Sequence, residues 1–290
     1  IPLGDDDFPV RLPIYPDESE ILPISGVPYE GGIQSIFSTS IGEISASYFT
    51  GYDRTFNLTG VNVYGHGSDI SFPYVDIVFG YRKTNVLGVG GTLISDWMTL
   101  RWDLGYFSTQ DLNNTINRSS SFNPVYYDSL HFTYPLEEKA QYTQTTLQLE
   151  FDIFGATSIL GLFNYNVEKY NAKYLPAISL PGIEADIDPE EYFYPGLGAP
   201  VAILTSKALM YSFKRDIGQS QDIELNLKGL VDLENSGYLT EIGAIFTLSD
   251  NLRFHTYLNK VIGDDTLDDE YRFNQMKDFS HLRFELEYFF

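Results

Sequence analysis

The sequence predicts an all-β protein, a transmembrane antiparallel up-and-down β-barrel of about 12 strands of which 11 are clearly visible. Three observations predict it. Apolar residues recur at every second position in segment after segment; the separators between segments alternate short with long; and aromatic residues crowd the segment ends. The C-terminal stretch HLRFELEYFF shows all of this at once, with Leu282, Phe284, Leu286, Tyr288 and Phe290 alternating with His281, Arg283, Glu285 and Glu287.

Residues 1–32 have a character of their own, since six of the 14 prolines fall there beside Asp5, Asp6, Asp7, Asp17, Glu18, Glu20 and Glu30. Proline cannot donate to a strand ladder, so this acidic, Pro-rich arm is expected to be a plug, a loop or one extra strand, and residues 33–290 the barrel. The period of two then takes over. MTLRWDLGY (98–106) sets Met98, Leu100, Trp102, Leu104 and Tyr106 against Thr99, Arg101, Asp103 and Gly105. TLQLEFDIF (146–154), DIELNLKG (222–229) and NLRFHTYLN (251–259) repeat the pattern. Segments of about 10 to 14 residues are long enough to cross a bilayer at a tilt.

Short separators at 41–42, 96–97, 154–155, 234–237 and 249–251 carry turn chemistry, whereas polar stretches at 53–72, 109–139, 170–200 and 263–279 are long. Compact soluble domains favour short connections, while membrane barrels pair short periplasmic turns with long extracellular loops. Counting back from the C-terminus keeps that alternation if residues 72–95 form one very long strand rather than two joined near Lys83 to Asn85. The total is then eleven, and even strand numbers are the rule. One more strand is expected from residues 1–32 or from polypeptide upstream of Ile1, and any secretory signal is read as already removed.

A net charge of −22, from 40 acidic and 18 basic residues, argues against nucleic acid as a partner, because phosphate binding needs Lys and Arg. The absence of Cys excludes disulfides and thiolate metal sites. No apolar run is long enough for a transmembrane helix.

IGEISASYFTGYDR (41–54), FGYRKTNVLGVGGTLISDWMTLRWDLGYF (79–107), LSDNLRFHTYLNKVIGDD (248–265) and the terminal alternating strand resemble porin-like outer-membrane proteins of Gram-negative bacteria. Within these, the chain looks like the family of outer-membrane proteins linked to lipid, sterol or hydrocarbon degradation. The resemblance implies an outer-membrane location, contact with membrane lipid, and recognition by the barrel insertion machinery. That signal would be carried by Leu282, Phe284, Leu286, Tyr288 and Phe290.

The polar strand faces carry the expected function. Asp103, Glu150, Asp152, Asp222, Glu224, Glu241, Glu285 and Glu287 outnumber Arg101, Lys228, Arg253 and Arg283 on the face expected to line a lumen, with His255 among them. Carboxylate rings favour cations. A passive channel for small solutes with a cation preference and no cofactor is therefore expected; the alternative is a plugged structural or assembly barrel whose loops bind a partner protein or a second copy. Catalysis is not expected. Of the four histidines, only His131, near Asp128 and Ser129, resembles part of a nucleophilic set, and adjacency in sequence is not triad geometry. Asp264, Asp265, Asp268, Asp269 and Glu270 could ligate Ca²⁺, but their spacing lacks an EF-hand pattern and reads as a solvated acidic face. GVGG (88–91) lies inside a strand pattern, where glycine lets strands coil or a lumen widen.

Overall fold

A computed structural model of the chain describes residues 29–66, 69–111, 129–135, 138–172, 193, 200–218, 222–268 and 271–289. Fourteen strands account for most of them. They are β1 (Gly31–Thr39), β2 (Gly42–Tyr52), β3 (Asn57–His66), β4 (Asp69–Gly80), β5 (Lys83–Ile94), β6 (Met98–Gln110), β7 (Ser129–Pro135), β8 (Glu138–Ile153), β9 (Ala156–Ala172), β10 (Lys207–Ile217), β11 (Ile223–Asp232), β12 (Tyr238–Ser249), β13 (Leu252–Ile262) and β14 (His281–Tyr288). Among the described residues, helix is confined to 3-10 turns at Pro200–Ile203 and Lys277–Phe279 and a four-residue α1 (Arg272–Gln275). Among the described residues no helix is long and apolar enough to cross a membrane.

Eleven strands form one antiparallel sheet in the order β1-β2-β5-β6-β8-β9-β10-β11-β12-β13-β14. The eleven strands read from the sequence match this number. Every step joins strands that follow one another along the chain once β3, β4 and β7 are set aside. Those three make a separate sheet, β4-β3-β7, so the stretches 53–72 and 109–139, expected to be loops throughout, are partly strand. Proline placement agrees with this order: Pro73 and Pro135 lie on the two outer strands and β3, paired on both sides, has none.

Residues 72–95 are two strands rather than one, and they belong to different sheets. The break falls at Tyr81 and Arg82, where the backbone N–H of Asp53 donates to the carbonyl of Arg82 at 2.9 Å. Only β5 belongs to the large sheet. The expected parity survives, because β4 is spent in the small sheet and a single strand still returns the chain to the short-turn end.

Connections at one end of the large sheet span residues 40–41, 95–97, 154–155, 218–222 and 250–251, and those at the other end are longer except for the short one at 233–237. In the two-residue turn between β8 and β9, Phe154 (φ 52°) and Gly155 (φ 74°) both adopt left-handed backbone, as a type I′ hairpin requires.

Register shows two faces of opposite character. On one, Ile33, Phe37, Ile44, Leu87, Leu104, Leu147, Leu162, Leu225, Ile242, Leu258 and Phe284 form an apolar belt reaching every strand but β10, which adds the half-buried Leu209, Tyr211 and Phe213. These side chains are exposed; Phe284 retains 62% of its accessible surface and Phe37 70%. The other face carries the charged residues at its short-turn end and aromatic or small residues at its long-loop end. There Phe107, Tyr142, Phe163, Ala208, Leu230 and Val261 are buried together under Phe193, the Pro200–Ile203 turn and Phe273 of α1. Because loops fold over it, this is the inner face.

The sheet is not closed. β1 and β14 both run from the long-loop end to the short-turn end, so these two edges are parallel to each other and have no pairing between them among the described residues.

The type I′ turn gives a direct test. A Cβ at Gly155 meets nothing within 4 Å, so Gly155→Ala costs only the left-handed backbone penalty, about 1 kcal/mol. Urea unfolding of the refolded protein should show that loss; an unchanged midpoint would mean the turn is not type I′.

Candidate functional site

The inner face holds two chemically different regions, and strand register assembles both. Toward the short-turn end, cross-strand neighbours form ion pairs. Arg101 Nη1 lies 2.9 Å from Glu150 Oε2, Lys228 Nζ 2.9 Å from Glu241 Oε1, and Lys214 Nζ 2.7 Å from Glu224 Oε2. His255 Nε2 stands 3.3 Å from Glu287 Oε2 while its Nδ1 lies 3.0 Å from the Tyr257 hydroxyl. Arg283 sits 4.5 Å from the centre of the Tyr257 ring and Arg253 5.1 Å from that of Phe289. Asp152 accepts a 3.1 Å hydrogen bond from Thr157. Asp103, Asp222 and Glu285 make no ion pair among the described residues.

Register thus brings the sequence-predicted polar residues to one face, but it also sets half of their carboxylates beside a basic side chain, Arg or Lys for three of them and His255 for the fourth. Four of the eight, Glu150, Glu224, Glu241 and Glu287, are partnered. Lys214 was not among the residues expected to line this face, although its two-residue offset from Ser212 and Met210 places it there.

Between the charged end and the aromatic end lies a furrow. Along one rung of the sheet stand Gln34, Ser47, Gly88, Gly105 and Gln144, and along the next Ser45, Gly90, Asp103 and Thr146. Three glycines leave the centre of the sheet as bare backbone, bounded by two amide side chains, with the Phe107 ring above. The cavity measures about 240 Å³. The glycines also let neighbours lie flat: a Cβ at Gly88 would meet Ser47 Oγ at 2.5 Å, and one at Gly105 the Phe107 ring at 2.6 Å.

At the long-loop end the inner face closes over an aromatic cluster. Phe107 stacks on Tyr142 with centroids 4.8 Å apart and planes 3° from parallel; Tyr165 meets Tyr142 edge-on at 5.6 Å, and Phe193 packs on Tyr142 and Tyr170 at 5.5 and 5.7 Å. Each such pair contributes about 0.5–1.5 kcal/mol beyond its buried area.

Beside this cluster sits a charged node that composition and periodicity did not single out. Arg82 is buried, its guanidinium 4.9 Å from the Phe193 ring centre, ion-paired with Glu138 and 3.8 Å from Asp111. Tyr170 donates to Glu138 Oε2 at 2.8 Å, and Asn57 Nδ2 and the Glu138 backbone N–H each donate to Asp111 at 2.9 Å. Thr84 donates to Asp53. The node joins the ends of β2, β5, β6 and β8 to the start of β3, so it couples the small sheet to the large one. The only sequence signal was position: each of its charged groups lies at a strand end.

Asp53 and Asp111 lie just beyond their strands, and burial pushes both carboxyls up, Asp111 to about 6. Hydrogen bonds from Thr84 and Asn57 and the Arg82 charge oppose that shift without cancelling it. Three carboxylates around one guanidinium are too many negative charges for a buried site.

A second junction centres on Asp232, which accepts from Thr205 Oγ1 at 2.7 Å, Tyr271 OH at 2.5 Å, Glu234 N–H at 2.9 Å and Asn235 Nδ2 at 3.2 Å. It pins the Pro200–Ile203 turn and the α1 segment to the end of β11.

The remaining candidates are dispersed. Asp264 caps its own loop through Thr266 and Ser236, which hold its carboxyl below the usual range, and Asp265 pairs with Lys277 at 2.5 Å. The Asp268 carbonyl accepts from Asn274, and Asp269 and Glu270 lie outside the described residues. Among the described residues no three side chains form a cluster fit for a metal ion. His131 lies in β7 and Asp128 outside the described residues. Leu282, Phe284, Leu286 and Tyr288 share the apolar face, and Phe290 lies outside the described residues. The chain matches no protein-family model and no curated protein.

The node titrates in a defined direction. A carboxyl whose pKa is raised on folding stabilises in its protonated form, so the Asp111 contribution is complete below about pH 4 and lost as pH rises through about 6. Hydrogen exchange at β3 amides, corrected for intrinsic rate, should show stronger protection at pH 5 than at pH 7, and Asp111→Asn should flatten that difference. Stronger protection at pH 7 in the unaltered protein would contradict the assignment.

Proposed function

We propose that the chain is an outer-membrane β-barrel that acts as a channel for small solutes. The observation that carries this reading is the segregation of the large sheet into an apolar face exposed across its width and an inner face of charged ladders. An apolar belt of that extent is far larger than water-soluble monomers expose. Strands such as β6, with 13 residues, and β8, with 16, are long enough to cross a bilayer at a tilt. Short turns at one end and long loops at the other fit the periplasmic and extracellular sides of such barrels.

In lipid, an open sheet edge leaves backbone groups unpaired, at several kcal/mol each. One further strand, antiparallel to both β1 and β14, completes a barrel of about twelve, supplied by polypeptide N-terminal to β1. Two strands would leave one parallel contact. The Leu282, Phe284, Leu286 and Tyr288 face meets lipid and, with Phe290, is read by the insertion machinery.

Ion pairing tempers the cation preference. With Glu150, Glu224 and Glu241 paired to Arg or Lys, Asp103, Asp152, Asp222, Glu285 and Glu287 stand against Arg253 and Arg283, so the residual field is still negative. In planar bilayers under a KCl gradient the reversal potential should shift toward the cation, and Asp103→Asn with Glu285→Gln should reduce that shift. Anion preference, or no channel events from folded protein, would overturn the reading.

A second reading is favoured by the aromatic cluster under Phe193, the Pro200–Ile203 turn and α1: a barrel plugged at its outer end whose loops bind a partner protein or a second copy. Phe273 is completely buried. On the channel reading this packing is a constriction that loosens when cut, so Phe273→Ala and Asp232→Ala should raise single-channel conductance. No conductance in either variant, with a partner co-purifying in fixed ratio, would favour the plugged barrel.

A further inference from the structure

We infer that the glycine furrow on β5 and β6 is a binding subsite for a small neutral polyhydroxylated solute of the monosaccharide or polyol class; this rests on the channel reading in placing the furrow along a solute path. The furrow lies where a path from the short-turn end would stop, directly beneath Phe107 and Tyr142. Glycine inside a strand marks a place where a ligand or another backbone approaches closely. Among the described residues the side chains of Ser47, Asp103 and Phe107 lie over the three glycines, so the absent Cβ atoms let these groups close in around the furrow.

The lining decides the class. Gln34 and Gln144 offer amides that both donate and accept, and Ser47 and Thr146 offer hydroxyls that do the same. Asp103 only accepts. A ligand whose groups are themselves both donors and acceptors satisfies such a set, and sugar hydroxyls are of that kind. An anion would meet Asp103 with no Lys or Arg in the lining to offset it. A divalent cation would find one carboxylate where hard-cation sites gather several charged oxygens. The Phe107 ring, stacked on Tyr142, borders the furrow with an apolar edge against which pyranose C–H groups pack. At about 240 Å³ the cavity falls below the ~300–1,000 Å³ of drug-sized sites.

Equilibrium dialysis of the purified full-length protein in detergent against radiolabelled D-glucose tests this without requiring a pore. Saturable binding is expected, weakened about tenfold by Asp103→Asn, which removes one charge-assisted hydrogen bond but keeps the side-chain shape. Gln144→Leu should weaken it similarly, and Gly88→Val, which crowds Ser47, should abolish it. Absence of saturable binding, or binding unchanged in Asp103→Asn and Gln144→Leu, would overturn the inference. Channel conductance without glucose binding refutes this inference alone, whereas glucose binding without conductance refutes the channel reading alone.

Discussion

Backbone pairing between antiparallel strands determines which side chains stand side by side, and everything else in this molecule depends on that register. Because side chains alternate across a strand, a one-residue slip would carry a whole strand's apolar set to the other face. The ion pair of Lys228 with Glu241, and the contact of His255 with Glu287 across β13 and β14, hold only in the observed register. The same pairing keeps Leu258, Leu282 and Phe284 together on the opposite side. Charge complementarity and apolar segregation therefore specify one alignment, each reinforcing the other.

The inner face changes chemistry along its length, and that change gives the two ends of the strands different tasks. At the short-turn end, charged side chains face each other across strands and remain partly solvated. At the long-loop end, Phe107, Tyr142 and Phe163 form a dry core that the loops cover, and the buried charges there sit in two hydrogen-bonded networks, one around Arg82 and one around Asp232. Burying that guanidinium would be prohibitive without Glu138 and Asp111 beside it, and those carboxylates in turn need Asn57, Tyr170 and a backbone N–H. The node is consequently a lock between the two sheets whose strength depends on pH. The glycine furrow lies between the two chemistries.

The large sheet was legible in the sequence because period two survives in single segments: MTLRWDLGY alone assigns Trp102 and Asp103 to opposite faces. Strand number was legible for the same reason. The small sheet was not, because β3 and β7 come from stretches whose polar residues read as loop, while most of β4 read as the first part of one long strand, the junction at Tyr81 and Arg82 carrying no proline or glycine pair to mark it. Arg82, Asp53, Asp111 and Glu138 were illegible for a different reason. Their partnership spans strands far apart in sequence, and nothing local distinguishes Asp111 from a solvated loop aspartate. The glycines of GVGG were visible, but their meaning depends on Gln34 and Gln144 arriving on the same rung.

Lipid contact at alternate residues is the central claim, and the absence of cysteine allows it to be measured with single labels. Leu282→Cys, Arg283→Cys, Phe284→Cys, Glu285→Cys and Leu286→Cys variants, spin-labelled in reconstituted vesicles, report collision with oxygen in lipid against a nickel chelate in water. The account predicts oxygen access at 282, 284 and 286 and chelate access at 283 and 285. Uniform chelate access along β14 would contradict it, and would return the sheet to water.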